Sequence, residues 1–367
     1  MKRKISTVLL MLGLAGSAYA TSPTLGHLFI TDSLGGTAHR GAVLDVNPVT
    51  GERRTITDFG NSSQGPVSEG YQTIAWLDAD VLDSKTPLLA TMSSTLDVMD
   101  PSTGIRTRLS DFNDPAQGPV GGDFGGKELL VLPAKAGAPL QARILVLDPS
   151  AGTEESGAIF SVDAAGQRKI IVDFGDGTSP VPFSLFHMTY LSDNTVLVTD
   201  SGSGSAEVGL RPAVLYKVDL NTGARTALST FDNPAQGWVP YPATSDQYWR
   251  YLSDVLVSPS GKIFATVSLV RPTPGGFLVE IDPATGRRTV ISDFGDQQQG
   301  RPGFGTNAMS WMPNGLIAVA DLTGGQFNNA LAFAVDPVTG NRRVITSGID
   351  SSQGPLVEGI DDMTIAP

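Results

Sequence analysis

Apolar and polar positions alternate with period two through most of this chain, in short runs closed by Asp, Asn, Pro or Gly. That is the pattern of half-buried strands joined by tight turns. One longer arrangement of these runs repeats six times: an apolar strand ending in Asp or Asn, a turn closing on Gly, one or two basic residues, a β-branched run, then Asp-Phe and a Gln-Gly loop. The copies span 43–65, 96–118, 159–177, 215–237, 278–300 and 333–354. Their turn glycines, Gly51, Gly104, Gly166, Gly223, Gly286 and Gly340, are 53, 62, 57, 63 and 54 residues apart. Self-similarity at this period marks a repeat architecture, and about 58 residues per unit suits a four-stranded propeller blade with generous loops. In the last full unit, strands are predicted at 308–312, 316–320, 332–335 and 343–346. The turn Asp100-Pro101-Ser102-Thr103-Gly104 explains itself: Asp caps it, Pro presets φ, and Gly supplies the left-handed residue. The third copy, Asp163-Ala164-Ala165-Gly166, is one residue shorter. Asp148-Pro149-Ser150-Ala151-Gly152 imitates the turn but follows 144–147, which fills a second-strand slot.

The first strand, 27–30, is of the second-strand type, and the chain ends on 363–366, which is of the first-strand type. One blade is therefore split between the termini, and the last strand is expected to pair with the first, removing the open sheet ends that invite aggregation. The expectation is all-β: a six-bladed β-propeller of four antiparallel strands per blade, occupying 21–367 as one domain. Six such units, with strand-turn-strand stretches such as 309–321, resemble the propellers of the NHL, SMP-30/gluconolactonase and streptogramin-lyase-like (TolB-like) group. The resemblance covers essentially all of the mature chain. Its Asp-Pro-x-Thr-Gly and Asp-Phe-x-Asp-x-x-Gln-Gly pattern departs from the usual NHL consensus.

Residues 1–20 stand apart. Lys2, Arg3 and Lys4 precede an apolar run at 8–14, and Ala18-Tyr19-Ala20 has the small-x-small form of a signal-peptide cleavage site. The expected product is secreted or periplasmic, cleaved after Ala20, and without a membrane span. It is expected to be a monomer. Loss of the three leader cations leaves 22 basic against 37 acidic residues, a charge of −15, which argues against nucleic acid as a partner. There is no Cys, so the export compartment contributes no disulfide. Eleven of the 22 cations follow the repeat turns: Arg53, Arg54, Arg106, Arg108, Arg168, Lys169, Arg225, Arg287, Arg288, Arg342 and Arg343. They are expected on exposed outer strands, where charge discourages edge pairing.

No nucleophile elbow, His-Glu-x-x-His, Rossmann fingerprint or EF-hand loop occurs. Residues 121–127 have P-loop spacing, but Glu128 stands where a magnesium-holding Ser or Thr belongs. Candidate chemistry lies where the innermost strands open, at Gln72-Thr73, Glu128-Leu129, Phe186-His187, Ser253-Asp254, Asn307-Ala308 and Asp361-Asp362. Glu128, Asp254, Asn307 and Asp361 or Asp362 form a set of hard oxygen donors suited to calcium. The resemblance implies the same: in SMP-30-like enzymes and paraoxonases, Glu, Asn and Asp around the channel mouth hold a metal that polarises a lactone or ester carbonyl. His187 would then be the base, as it would in a streptogramin-lyase-like lyase. The plainer alternative is a set of solvated, mutually hydrogen-bonded strand ends. Gln72 and the aromatic loop carrying Trp238, Tyr241 and Trp249 are candidates for holding a small molecule, carbohydrate or protein, with a hydrophobic cap as the alternative for the aromatics. The recurrent Phe59, Phe112, Phe174, Phe231 and Phe294 read as plugs between blades, with Asp58, Asp111, Asp173 and Asp293 bonding the loops that follow.

Overall fold

A computed structural model describes residues 26–68, 73–84, 86–122, 127–133, 143–178, 180–192, 194–202, 212–237, 249–270, 275–321 and 330–366. Residues 1–20, Gln72, Trp238 and Tyr241 lie outside them, as does the Trp249 side chain. Blade 1 takes β1 (His27–Asp32), β2 (Ala42–Val46) and β3 (Arg53–Asp58). Blade 2 is β4 (Thr73–Leu77), β5 (Leu88–Met92), β6 (Thr95–Met99) and β7 (Arg106–Asp111). Blade 3 is β8 (Glu128–Val131), β9 (Ile144–Asp148), β10 (Ala158–Val162) and β11 (Arg168–Asp173). Blade 4 is β12 (Leu185–Ser192), β13 (Thr195–Asp200), β14 (Val214–Asp219) and β15 (Arg225–Thr230). Blade 5 is β16 (Trp249–Val257), β17 (Ile263–Val270), β18 (Phe277–Ile281) and β19 (Arg288–Asp293). Blade 6 is β20 (Thr306–Trp311), β21 (Ile317–Asp321), β22 (Leu331–Val335) and β23 (Arg342–Ser347), and β24 (Met363–Ala366) completes blade 1.

Every sheet has four antiparallel strands, and blade 1 runs β24-β1-β2-β3. The split blade expected from the sequence is therefore present, with His27 opposite Ala366 and Ile30 opposite Met363. Thr31 extends the closure: its N–H donates to the Asp362 carbonyl at 3.0 Å, and its hydroxyl accepts from the Asp362 N–H at 3.0 Å. The innermost strands β24, β4, β8, β12, β16 and β20 touch in that cyclic order, so six blades surround one channel. No helix among the described residues is long and apolar enough to cross a membrane.

The repeat turns form as their residues dictate. Gly104 N–H closes on the Asp100 carbonyl at 2.8 Å, and the Asp100 carboxylate takes the Ser102 N–H at 2.8 Å. Gly104 has φ of +70°, and a Cβ there would also collide with the Ile56 carbonyl of the neighbouring blade. The turn glycine is thus required twice over, by its own dihedral and by blade packing.

The basic residues after these turns depart from expectation. Arg53, Arg106, Arg168, Arg225, Arg288 and Arg342 are buried rather than edge guards. Each reaches into the preceding blade. Arg168 donates to Ser110 Oγ, the Asp111 carbonyl and the Asp114 carbonyl, all at 2.7 Å, and lies 4.7 Å from the centre of the Phe112 ring. Arg342 repeats this on Ser292, Asp293, Asp296 and Phe294. Phe59, Phe174 and Phe231 likewise lie under Arg106, Arg225 and Arg288. The recurrent Phe is therefore the inter-blade plug expected, and its neighbour does bond the next loop: Gly60, Gly175 and Gly295 donate to Asp58, Asp173 and Asp293 at 2.9, 2.9 and 2.8 Å. Alternate residues such as Arg54, 55% exposed, keep the outward role. The clasp is a tertiary contact between repeats, which is why a period-two reading of one strand misplaced it.

Candidate functional site

Each innermost strand offers one residue to the same level of the channel. Strand alternation sends alternate side chains inward, and the hydrogen bonds fix the level. The Asp254 carboxylate accepts the N–H groups of Val255 and of Met309 in the next blade. The Asp362 carboxylate does the same with Met363, at 2.7 Å, and with Ile74 in the next blade, at 2.8 Å. Equivalent positions in the other blades are Thr73, Glu128, His187 and Ala308. The upper ring therefore reads Asp362, Thr73, Glu128, His187, Asp254, Ala308 around the channel, with His187 facing Asp362 across it. Two residues further along each strand lies a neutral ring of Ala75, Leu130, Thr189, Leu256, Ser310 and Thr364. The neutral ring, together with Glu128, His187, Asp254 and Asp362, lines a cavity of about 230 Å³.

His187 is the centre of the charged group. Its Nδ1 stands 2.7 Å from Asp254 Oδ1 and its Nε2 stands 3.1 Å from Glu128 Oε1. Neither contact is an aligned hydrogen bond, although both nitrogens are out of reach of solvent, so these are ion-pair contacts set by proximity. The Thr199 hydroxyl of β13 fixes the backbone behind the ring by accepting the His187 N–H at 2.8 Å. Burial pulls the imidazole pKa down, but Asp254 and Glu128 outweigh it and hold the group up at about 10. Near neutral pH this imidazole is a cation, which removes it as a ready base. Burial pushes the Glu128 carboxyl well above its usual range against the pull of His187. Burial likewise pushes Asp362 to about 7, with His187 and the Ile74 amide opposing.

The residues singled out from the sequence thus separate into two groups. Glu128, His187, Asp254 and Asp362 meet in the channel. Asn307 and Asp361 do not line the cavity: Asn307 Nδ2 donates to the Asp361 carbonyl at 2.6 Å, and the Asp361 carboxylate takes the Ser33 N–H at 2.6 Å. Burial raises Asp361 to about 6. As a calcium cage the remaining set fits poorly. Calcium takes six to eight oxygens, whereas here an imidazole stands between two of the carboxyl groups, and both oxygens of Asp254 and of Asp362 are engaged by amides. Among the described residues no group of three or more His, Asp or Glu side chains has the arrangement of a metal site. Lys127, at the end of the P-loop-like spacing, is buried and lies 3.3 Å from Asp148.

A second recurrence was not read from the sequence. Asp32, Asp148, Asp200 and Asp321 end the second strand of four blades and are buried. Each captures loop N–H groups ahead of its own blade's inner strand: Asp200 takes those of Phe183 and Ser184, both at 2.9 Å, and Asp148 that of Gly122 at 3.0 Å. Four apolar strands ending in Asp were the available signal. These carboxylates shape the upper rim, where Phe186, next to His187, is 42% exposed.

No family model and no curated protein matches the chain. Among solved structures, a protein from Lactobacillus plantarum is similar with a TM-score of 0.51 at 12% identity, covering 94% of this chain and 100% of that one. A Pseudomonas aeruginosa periplasmic gluconolactonase, PpgL, gives 0.48 at 15% identity over 93% of this chain and 85% of its own. A putative 6-phosphogluconolactonase from Bacteroides fragilis gives 0.49 at 12% identity over 95% and 99%. At such identities the likeness is one of fold alone: the chain is a six-bladed β-propeller.

Proposed function

We propose that the protein is a ligand-binding module whose site is the upper channel ring and the cavity beneath it. The observation that carries this reading is the ring itself. Three carboxyl groups and one imidazole are buried where six blades converge, and replacing buried ion pairs by apolar side chains is often neutral or stabilising. A ring needed only for folding would be expected to be apolar, or to satisfy its charge as fully as the buried arginines between the blades do. The module is read as exported, on the strength of the N-terminal basic, apolar and small-x-small segments. N-terminal sequencing of protein recovered outside the cytoplasm tests this, with Thr21 expected as the first residue.

The binding reading is tested by thermal shift against a panel of sugars, sugar lactones, amines and carboxylic acids. The parent and a variant carrying Glu128→Leu, His187→Leu and Asp254→Leu are compared. The variant is expected to melt no lower than the parent and to lose every ligand-induced shift. If the panel shifts both proteins equally, the channel ring is not the site. A calcium-dependent lactonase remains the competing chemistry. It requires that chelator lower the melting temperature and that a lactone be turned over, and the protonated His187 and the dispersed Asn307 and Asp361 give it less support.

A further inference from the structure

Exposure rises along the channel, away from the charged ring. Glu128, Asp254 and Asp362 are buried, whereas all six residues of the neutral ring are half-buried, and so is the residue that follows each of them. The channel is therefore more open at this lower mouth than at the ring above. In the cyclic order of the blades, the residues around the mouth are Ile365, Trp76, Val131, Tyr190, Val257 and Trp311. An aromatic ring stands on every second blade, with an aliphatic side chain between each pair. The indoles are held from behind: Phe29 stacks on Trp76 with ring centres 6.0 Å apart, and Phe264 on Trp311 at 6.1 Å. Trp76 Nε1 also donates to Asp78 at 3.2 Å. A separate observation comes from the neutral ring. The hydroxyls of Thr189, Ser310 and Thr364 line the cavity and have no hydrogen-bond partner among the described residues. Neither of these two levels carries a charged side chain.

We propose that the channel is entered from its lower mouth by a small uncharged aromatic alcohol, whose ring lodges among Trp76, Tyr190 and Trp311 and whose hydroxyl points up to the neutral ring. This rests on the binding-module reading, names its ligand class and sets the direction of approach. Aromatic rings held in fixed positions receive another ring in offset or edge-on geometry at little entropic cost. A charged ligand would lose its hydration at two levels that offer no opposite charge. A sugar would bring more hydroxyls than three wall hydroxyls can pair, and each one left buried and unpaired is costly. The cavity, at about 230 Å³, is smaller than the roughly 300–1,000 Å³ pockets that hold drug-sized molecules, which suits a ligand of about one ring.

Calorimetry on the mature chain tests the assignment, with benzyl alcohol and 2-phenylethanol as probes. Controls are cyclohexylmethanol, of similar size but not aromatic, the charged benzylamine and benzoate, and glucono-1,5-lactone. The two probes are expected to bind, and every control to bind about tenfold more weakly or not at all. Tyr190→Ala and Trp311→Ala are each expected to weaken the probes about tenfold, while Tyr190→Phe retains them. Tyr190→Ala carries the test if Trp311→Ala, which uncovers Phe264, does not fold. Phe186→Ala, on the upper rim, is expected to change nothing. Cyclohexylmethanol binding as tightly as benzyl alcohol overturns the aromatic assignment. Probe binding lost in Phe186→Ala but unchanged in Tyr190→Ala overturns entry from below. If neither probe binds, yet the lactone binds and is lost in the variant carrying Glu128→Leu, His187→Leu and Asp254→Leu, this proposal falls and the binding-module reading stands. Probes that bind that variant as tightly as the parent leave the lower mouth as the site and remove the charged ring from it.

Discussion

The clasp between blades and the ring in the channel are both built from buried charge, yet they follow opposite rules. In the clasp, one residue type recurs in all six blades, and each guanidinium finds main-chain carbonyls, with an aromatic face under five of the six. A planar fork of five donors suits such a cradle of dipoles, so the buried cation needs no carboxylate of its own. In the ring, Asp, Thr, Glu, His, Asp and Ala occupy equivalent positions, and the two ion contacts are misaligned. Where blades must fit identical neighbours, the sequence repeats and polar groups are satisfied. Where six blades face a common space, the repeat is abandoned, and the polar groups are arranged for something other than one another.

Ways to break this contrast begin with the closure both regions depend on. Deleting residues 362–367 removes β24, its pairing to β1 and one carboxyl of the ring together. Cooperative unfolding is expected to be lost or to move by more than 10 °C, since removing the innermost strand of blade 1 exposes the edge of β1 and opens the ring between β20 and β4; a melting temperature unchanged in circular dichroism would refute the split blade. Next comes a single clasp. Arg168→Ala strands at least four acceptors in a buried site and is expected to cost about 3 kcal/mol in denaturant unfolding. Arg168→Lys should recover little of it, because an ammonium cannot span the same fork. A loss below about 0.5 kcal/mol would show that the clasp is incidental.

The same contrast explains what could be read from the sequence. Strands, turns, the six-fold repeat and the terminal closure rest on local signals: period-two runs, Asp-Pro-x-Thr-Gly and the mismatch between first and last strand types. The ring was only half legible. Glu128, His187, Asp254 and Asp362 were picked out because they stand where the innermost strands were expected to open, but Asn307 and Asp361 were set one position off. Asp254 is not at a strand opening at all: β16 begins at Trp249 and carries a register shift between Leu252 and Asp254. A bulge of this kind changes which side chains face the channel without altering composition. The clasp was misread for a different reason. Arg53 and Arg54 look alike in sequence, and only the packing of the neighbouring blade buries the first and exposes the second.

Titration separates the two regions by sign. Carboxyls of the blade periphery such as Asp58 and Asp173 are lowered: burial raises them, but hydrogen bonds from Thr37 and Thr153 win. Their contribution is present above pH 4 and is lost as pH falls through the lowered values. In the channel the shifts go the other way. Asp362 rises from 3.8 to about 7 and His187 from 6.5 to about 10, and Asp361, next to Asp362 but outside the cavity, rises from 3.8 to about 6. Their stabilisation is complete below the unfolded values and is lost as pH rises, across pH 4 to 7 for the acids and 6.5 to 10 for the imidazole. Melting temperature is therefore expected to peak on the acid side of neutrality and to decline towards pH 9. Asp362→Asn should flatten the fall between pH 4 and 7, and His187→Gln the fall above it.

The smallest expected effect comes from an exception inside the clasp. At the junction of blades 6 and 1 the position of the recurrent Phe is Gly348, whose missing side chain lets the chain pass close to the Val357 and Ala330 carbonyls. Arg53 still donates to the Pro355, Ser347 and Asp350 carbonyls, all at 2.8 Å, but among the described residues no aromatic ring lies beneath it. Arg342, with the same pattern of acceptors, lies 4.7 Å from the Phe294 ring centre. Comparing Arg53→Ala with Arg342→Ala isolates the aromatic contribution, since the hydrogen bonds lost are alike. Arg342→Ala is expected to be the more destabilising by about 1 kcal/mol in urea unfolding, the size of a partly desolvated cation–π contact. Equal losses would mean that the carbonyl cradle alone holds the clasp, and that the recurrent Phe serves only to fill the gap between blades.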